Sequence, residues 1–260
     1  MRLHRIQRAL DAEDWTTAMV EAEELLDEQP LHLEGLQLLG RALRGEGSRA
    51  VALLVYQQLV DQFGDLDEHL YGLADARFHT CDLPGCVEVA RELVRRDGAD
   101  GSYHFLLARA LEHLGGHGSE AVSHYTAAYQ LDPEVYRLPL PVSEDDWNTA
   151  LELATERLIP ALQAFWEDIP VYLVRLPPLE RLLKTTPPRS PAITGLYLGD
   201  PPELEEELDQ RRPEGLEIYT DNLLRILDLE EMVDELQLIF ELNALDWLGL
   251  RALEDLEEAP

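Results

Sequence analysis

Small and large apolar residues recur along the first 135 residues with a long, nearly constant period. Ala18, Ala22 and Leu25 return as Ala52, Tyr56 and Leu59, then as Cys86, Ala90 and Leu93, then as Ala121, Tyr125 and Ala128. Spacings of four and three place each trio on one helix face. Between the trios stand Leu39-Gly40, Leu73-Ala74 and Leu107-Ala108, again in equivalent places. Turn residues separate the units: Gln29-Pro30, Phe63-Gly64, Asp97-Gly98 and Asp132-Pro133 lie 34, 34 and 35 residues apart. A 34-residue unit is the length of one helix–turn–helix repeat, and Gly115-Gly116-His117-Gly118 is a turn able to absorb the extra residue. Small residues let helices approach closely while large ones fill the space between repeats. The pattern predicts four helical hairpins over residues 1–138.

Beyond Leu138-Pro-Leu-Pro141 the pattern changes, because prolines stiffen the chain and end the array, leaving 139–146 as a proline-containing linker. Ser143-Glu-Asp-Asp146 is an N-cap for an amphipathic helix from Trp147 to Phe165, running through Pro160. Ile169-Pro-Val-Tyr-Leu-Val174 is a β-branched run, hence a strand, and Leu216-Glu-Ile-Tyr219 is a second. Between them come a proline-rich loop from Pro177 to Pro191 and the segment Ile193-Thr-Gly-Leu-Tyr-Leu-Gly199. A last helix covers Leu229 to Trp247, where Leu236, Ile239, Phe240 and Asn243 recur at helical spacing. The expected fold is mostly α, an α-solenoid followed by a small α+β domain over 147–260.

Charge narrows the function classes. The chain of 260 residues holds 52 acids against 21 bases, a formal net charge of −31. Residues 1–140 carry 24 acids and 12 bases, and 141–260 carry 28 and 9. Such a chain repels nucleic-acid phosphates, so direct binding to DNA or RNA is not expected. The charge serves solubility, attraction to a basic protein surface, or imitation of nucleic acid toward a protein that binds it. Two cysteines, Cys81 and Cys86, are too few for a disulfide framework, and Met1-Arg2-Leu3-His4 opens no charged-then-apolar leader, which implies a cytoplasmic location. No apolar run approaches the ~18 residues of a membrane span.

The repeat positions, most of all Ala121-Val-Ser-His-Tyr125-Thr-Ala-Ala128-Tyr-Gln-Leu-Asp-Pro133, resemble the tetratricopeptide repeat family over about 1–135. The first unit departs from the pattern, with a short opening helix and no Leu-Gly pair, as an end cap would. The resemblance implies a concave face, formed by the first helix of each hairpin, that binds an extended peptide or a helix of a protein partner. That face is expected to present Gln37, Arg41 and Arg44, then Tyr71, Asp75 and Phe78, then Phe105 and Arg109. Arginine and aromatic side chains commonly dominate interface energetics. The alternative is that Phe78 and Phe105 close the stack and the arginines are solvated.

The succession of helix, strand, Leu196-Tyr197-Leu198-Gly199, strand and final helix is similar to a small bacterial family of zincin-like metallopeptidases, over about 144–256. In that family the last helix carries His-Glu-x-x-His, two zinc-binding imidazoles four apart and a carboxylate that activates water. Aligned on Gly249-Leu250, this chain has Leu242 and Asp246 in place of the histidines and Asn243 in place of the glutamate. Leucine cannot ligate zinc, and asparagine cannot act as a general base. A shifted register with Glu241 as the acid puts Phe240 and Ala244 at the ligand positions and fails equally. All eight histidines precede residue 125. The expectation is a degenerate, metal-free domain with no cofactor and no catalytic residue.

Other constellations are weak. His113 and His117 are four apart, but Gly115-Gly116 between them marks a turn. His79, Cys81 and Cys86 lack ligand spacing and a fourth partner, and Cys86 occupies a small-residue packing position. A carboxylate site from Glu241 and Asp246 has no distinguishing spacing, and the acidic runs 203–207 and 254–258 read as solvated faces. The reading is a non-catalytic adaptor or regulatory protein. Its alternatives are an acidic nucleic-acid mimic and a metallopeptidase with unusual ligands.

Overall fold

The computed structural model describes residues 2–139, 141–200, 212–224 and 229–250. The acidic runs 203–207 and 254–258 lie outside them. The chain divides into two compact units, one of residues 1–136 together with 178–191, the other of 137–177 and 192–260.

The first unit is an array of four helical hairpins, with helices in the order α1 (Arg2–Asp11), α2 (Trp15–Glu28), α3 (Leu33–Glu46), α4 (Arg49–Phe63), α5 (Asp67–His79), α6 (Leu83–Arg96), α7 (Gly101–His113) and α8 (Gly118–Leu131). Each helix packs on the one before and the one after it, and the first helices α1, α3, α5 and α7 also touch in sequence. Several starts are fixed by side chains that accept from orphan backbone donors: Asp14 from Thr17 N, Asp82 from Gly85 N and Asp100 from Ser102 N. All four trios of the second helices are buried, as are the three pairs of the first helices. Tyr56 explains the small positions on α3 and α5: a Cβ on Gly40 would come within 2.9 Å of its ring, and one on Gly72 within 2.1 Å.

The second unit is α+β. The capping box is present, with Ser143 Oγ accepting from Asp146 N and the Asp146 carboxylate accepting from Ser143 N. The single helix expected from Trp147 to Phe165 is in fact two, α9 (Glu144–Arg157) and α10 (Pro160–Trp166). Pro160 has no N–H to donate, so it starts a helix instead of continuing one. Strands β1 (Val171–Val174), β2 (Gly195–Leu198) and β3 (Gly215–Tyr219) form a sheet in the order β1-β3-β2, with β1 parallel and β2 antiparallel to β3. After the short α12 (Thr220–Leu224), the 20-residue helix from Leu229 to Leu248 closes the fold. Its Leu236, Ile239, Phe240 and Ala244 join Trp147, Ala154, Leu162, Trp166, Leu216 and Ile218 in one core, and Trp166 donates from Nε1 to the Phe240 carbonyl at 3.2 Å.

The segment between β1 and β2, read from sequence as a loop from Pro177 to Pro191, contains the single helical turn α11 (Leu179–Leu182) and groups with the array. The closing helix from Leu229 to Leu248 is α13 in the chain order that results. No helix among the described residues is long and apolar enough to cross a membrane.

Candidate partner-binding site

Positions 34 residues apart on the first helices fall into rows: Gln37, Tyr71 and Phe105; then Gln7, Arg41, Asp75 and Arg109. The structure brings these rows together. Gln37 Nε2 lies 3.2 Å from His69 Nε2, and Arg41 reaches the Gln7 carboxamide oxygen at 3.4 Å with its side chain otherwise exposed. Arg44 donates from Nε to Asp75 Oδ2 at 2.9 Å and lies 5.1 Å from the Tyr71 ring centroid. Arg109 stacks over Phe78 at 4.4 Å and Phe105 at 5.6 Å.

Burial sorts the aromatic members. Phe78 is 1% exposed and so fills space in the stack, whereas Phe105 is half-buried against Tyr125 and Tyr136. Tyr71 is half-buried beside Tyr103, and burial, with Asp75 nearby, pushes its phenol up to about 12. Burial opposes the charge on Arg44, but Asp75 and the flanking tyrosines outweigh it and raise the guanidinium above its usual value. The guanidinium therefore stays charged throughout the physiological range.

Leu10, Trp15, Arg41, Arg44, Gly45, Arg49 and Asp75 line a cavity of about 340 Å³. Three arginines and one aspartate line it, a local reversal of sign on a strongly acidic chain. Arg49 is the charged member that the sequence did not single out. It begins a second helix, outside the repeat of first-helix positions, and donates to the Arg44 carbonyl at 2.6 Å.

His79, which the sequence offered only as a weak metal ligand with Cys81 and Cys86, is a further neighbour of Asp75. It ends α5 and is 9% exposed, with Nε2 at 3.6 Å from Asp75 Oδ1 and Nδ1 at 2.6 Å from Ser190 Oγ. Burial, reinforced by Arg49, Arg109 and Arg44 and opposed by Asp75, pushes its pKa down to about 3, so the imidazole is neutral at physiological pH. Cys81 donates its thiol to the Arg189 carbonyl at 3.3 Å, while Cys86 is fully buried with its thiol pushed up to about 12 by desolvation. His113 ends α7 with its ring against Phe78, and His117 stands before α8 beyond the glycine turn. Among the described residues no group of three or more His, Cys, Asp or Glu could hold a metal ion.

On α13, Leu242 is 54% exposed and Asp246 is also exposed, one turn apart. Asn243 faces inward. Its Oδ1 accepts from Tyr197 N at 3.1 Å and its Nδ2 donates to the Ile239 carbonyl at 2.8 Å, so the carboxamide ties the helix to β2. Tyr197 N points away from β3, and Asn243 therefore occupies a donor on the sheet's β2 edge.

No protein-family model matches the chain, and no curated protein matches it. Solved structures of MamA match about half of it. One is 17% identical, covering 51% of this chain and 72% of that one with a TM-score of 0.46, and a structure titled MamA AMB-1 is 16% identical, covering 52% and 79% with a TM-score of 0.47. A likeness this distant does not bear on partner or activity.

Proposed function

We propose that this chain is a non-catalytic adaptor that holds a segment of a protein partner, a peptide or a helix, on the first-helix face of its repeat array. The cavity formed by Arg41, Arg44, Arg49 and Asp75 carries the reading. Guanidiniums on a rigid helical scaffold are suited to fixing carboxylate or carbonyl groups of a bound chain. Arg41 is the contact residue at the rim. Gln37, Tyr71, Phe105 and Arg109 extend the surface, and Asp75 and Phe78 position Arg44 and Arg109 from below.

The second unit is read as a degenerate zincin-like domain serving as a rigid binding surface. What supports this is the occupation of the three functional positions: Leu242 has no donor atom for a metal, Asn243 is engaged on both sides, and Asp246 belongs to a stretch, 141–260, whose sequence contains no histidine.

Affinity purification from the native host, comparing intact protein with Arg41→Ala and with Arg41→Ala/Arg109→Ala, tests the groove. Loss of one partner in both variants, with helix content retained, supports it, and unchanged capture removes the groove from the account. Affinity that collapses steeply with salt would favour carboxylate rows mimicking nucleic acid instead.

A further inference from the structure

A segment from beyond the hairpins belongs to the same compact unit as the array. Residues 178–191 leave the second unit and group with the helical hairpins. They are held where α5 turns into α6: Ser190 Oγ meets His79 Nδ1 at 2.6 Å, and the Arg189 carbonyl accepts from the Cys81 thiol at 3.3 Å. Two of the segment's apolar residues, Leu182 and Pro191, are buried. Between its anchors the segment closes on itself, with Arg189 N donating to the Leu182 carbonyl at 3.0 Å. The anchoring groups suit an uncharged contact. A neutral imidazole and a hydroxyl exchange one hydrogen bond without bringing a charge into a buried site.

Composition sets the segment apart. It contains Arg181, Lys184 and Arg189 against Glu180 alone, three of the nine bases that follow residue 140. The sequence Thr185-Thr-Pro-Pro-Arg-Ser-Pro191 is stiffened by prolines, which lowers the ordering entropy of an extended ligand.

We propose that residues 178–191 are an internal ligand of the array, and that the partner at this end of the third hairpin is an extended, proline-flanked basic segment ending in serine, which must displace them. This goes beyond the adaptor reading above, adding a contact where α5 turns into α6, and rests on it only for the existence of a partner. Linkage in one chain gives the internal segment a high effective concentration, so a free segment of equal intrinsic affinity competes poorly until the strap is released.

Cys81 reports the docking, because Cys86 is fully buried and silent to a thiol reagent. In the full chain with residues 179–190 replaced by a glycine–serine segment of equal length, labelling of Cys81 is expected to accelerate by at least about thirtyfold, as loss of a buried leucine and a hydrogen bond implies. Synthetic peptide 178–191 added in trans should restore protection, and the Ser190→Ala peptide should do so less well. Ser190→Ala in the otherwise intact chain gives a smaller acceleration and guards against misfolding of the replacement. Equal labelling rates, or a trans peptide without effect at millimolar concentration, would overturn the proposal. Partner capture is a separate readout: a protective peptide without any captured partner would sink the adaptor reading alone, and capture without peptide protection would sink the internal ligand alone.

Discussion

Tyr56 packs against Gly72, so close that a Cβ at Gly72 would meet ring carbon Cε1 at 2.1 Å. Gly72→Ala should therefore destabilise the array although alanine is the better helix former. The helix-propensity gain is about 1 kcal/mol, whereas overpacking of a filled core costs about 1–3 kcal/mol and rises steeply when ring and backbone are the colliding parts. Thermal unfolding of Gly72→Ala alone and combined with Tyr56→Leu checks the cause. The double variant should lose less than the sum of the two single losses. Additive losses would show that the ring is not what excludes a side chain at Gly72.

The array should weaken as pH falls from about 6.5 toward 3, and His79 should account for part of the slope. The unfolded imidazole takes up a proton near its ordinary value of 6.5, while the folded one holds out to about 3. Between those values the unfolded state binds the extra proton, so unfolding becomes easier on acidification and harder as pH rises. Asp75 faces the ring and opposes the effect, and Arg44, Arg49 and Arg109 reinforce it. His79→Gln retains a hydrogen-bonding group toward Ser190 and does not titrate. Denaturant unfolding across that window should give a shallower pH slope for the variant, and identical slopes would remove His79 from the explanation.

The array was legible in the sequence because its physics is local and repeated. Ala18, Ala52, Cys86 and Ala121 must be small where helices cross, and the same requirement returns every 34 or 35 residues. The rows Gln37–Tyr71–Phe105 and Arg41–Asp75–Arg109 follow from that period. Their energetic roles do not, since only burial separates Phe78 from Phe105. Pro160 was legible as a helix start once its missing donor was given more weight than the apolar periodicity around it. The docking of residues 178–191 had no local signal at all. Prolines identify an irregular segment, and contact between Ser190 and His79 joins positions 111 residues apart.

Asn243 should matter for the stability of the second unit. Asn243→Leu leaves Tyr197 N without its acceptor and the Ile239 carbonyl without its side-chain donor, a loss of about 1–3 kcal/mol for a buried backbone donor left unpaired. Asn243→Asp keeps the acceptor for Tyr197 N but sets a carboxylate against the Ile239 carbonyl oxygen. Burial and that oxygen both favour the protonated acid, so the folded pKa of the introduced group rises above its unfolded value. The aspartate variant should be least stable at neutral pH and recover as pH falls. Chemical denaturation at pH 4 and pH 7 measures both, and a pH-independent loss would show that the amide is not held as described.

Asp75, the acid of the groove, is 8% exposed, and Arg44 donates to it at 2.9 Å. Two single substitutions should therefore differ sharply. Arg44→Met keeps much of the stem packing against Tyr71 but leaves the confined carboxylate without its guanidinium, and breaking this part-buried pair from one side should cost up to about 3 kcal/mol, the low end for a buried pair. Asp75→Asn leaves the guanidinium partly exposed, able to reach water and to stay over Tyr71, so its cost should be smaller. Combining the two removes both charges, and the double variant should recover stability relative to Arg44→Met alone. The recovery distinguishes a desolvated carboxylate from simple loss of arginine packing, because packing lost at Arg44 would persist in the double variant. A thermal or denaturant series on the four proteins reads the coupling directly, and its absence would mean that Asp75 finds sufficient support from Arg49, Arg109 or solvent without Arg44.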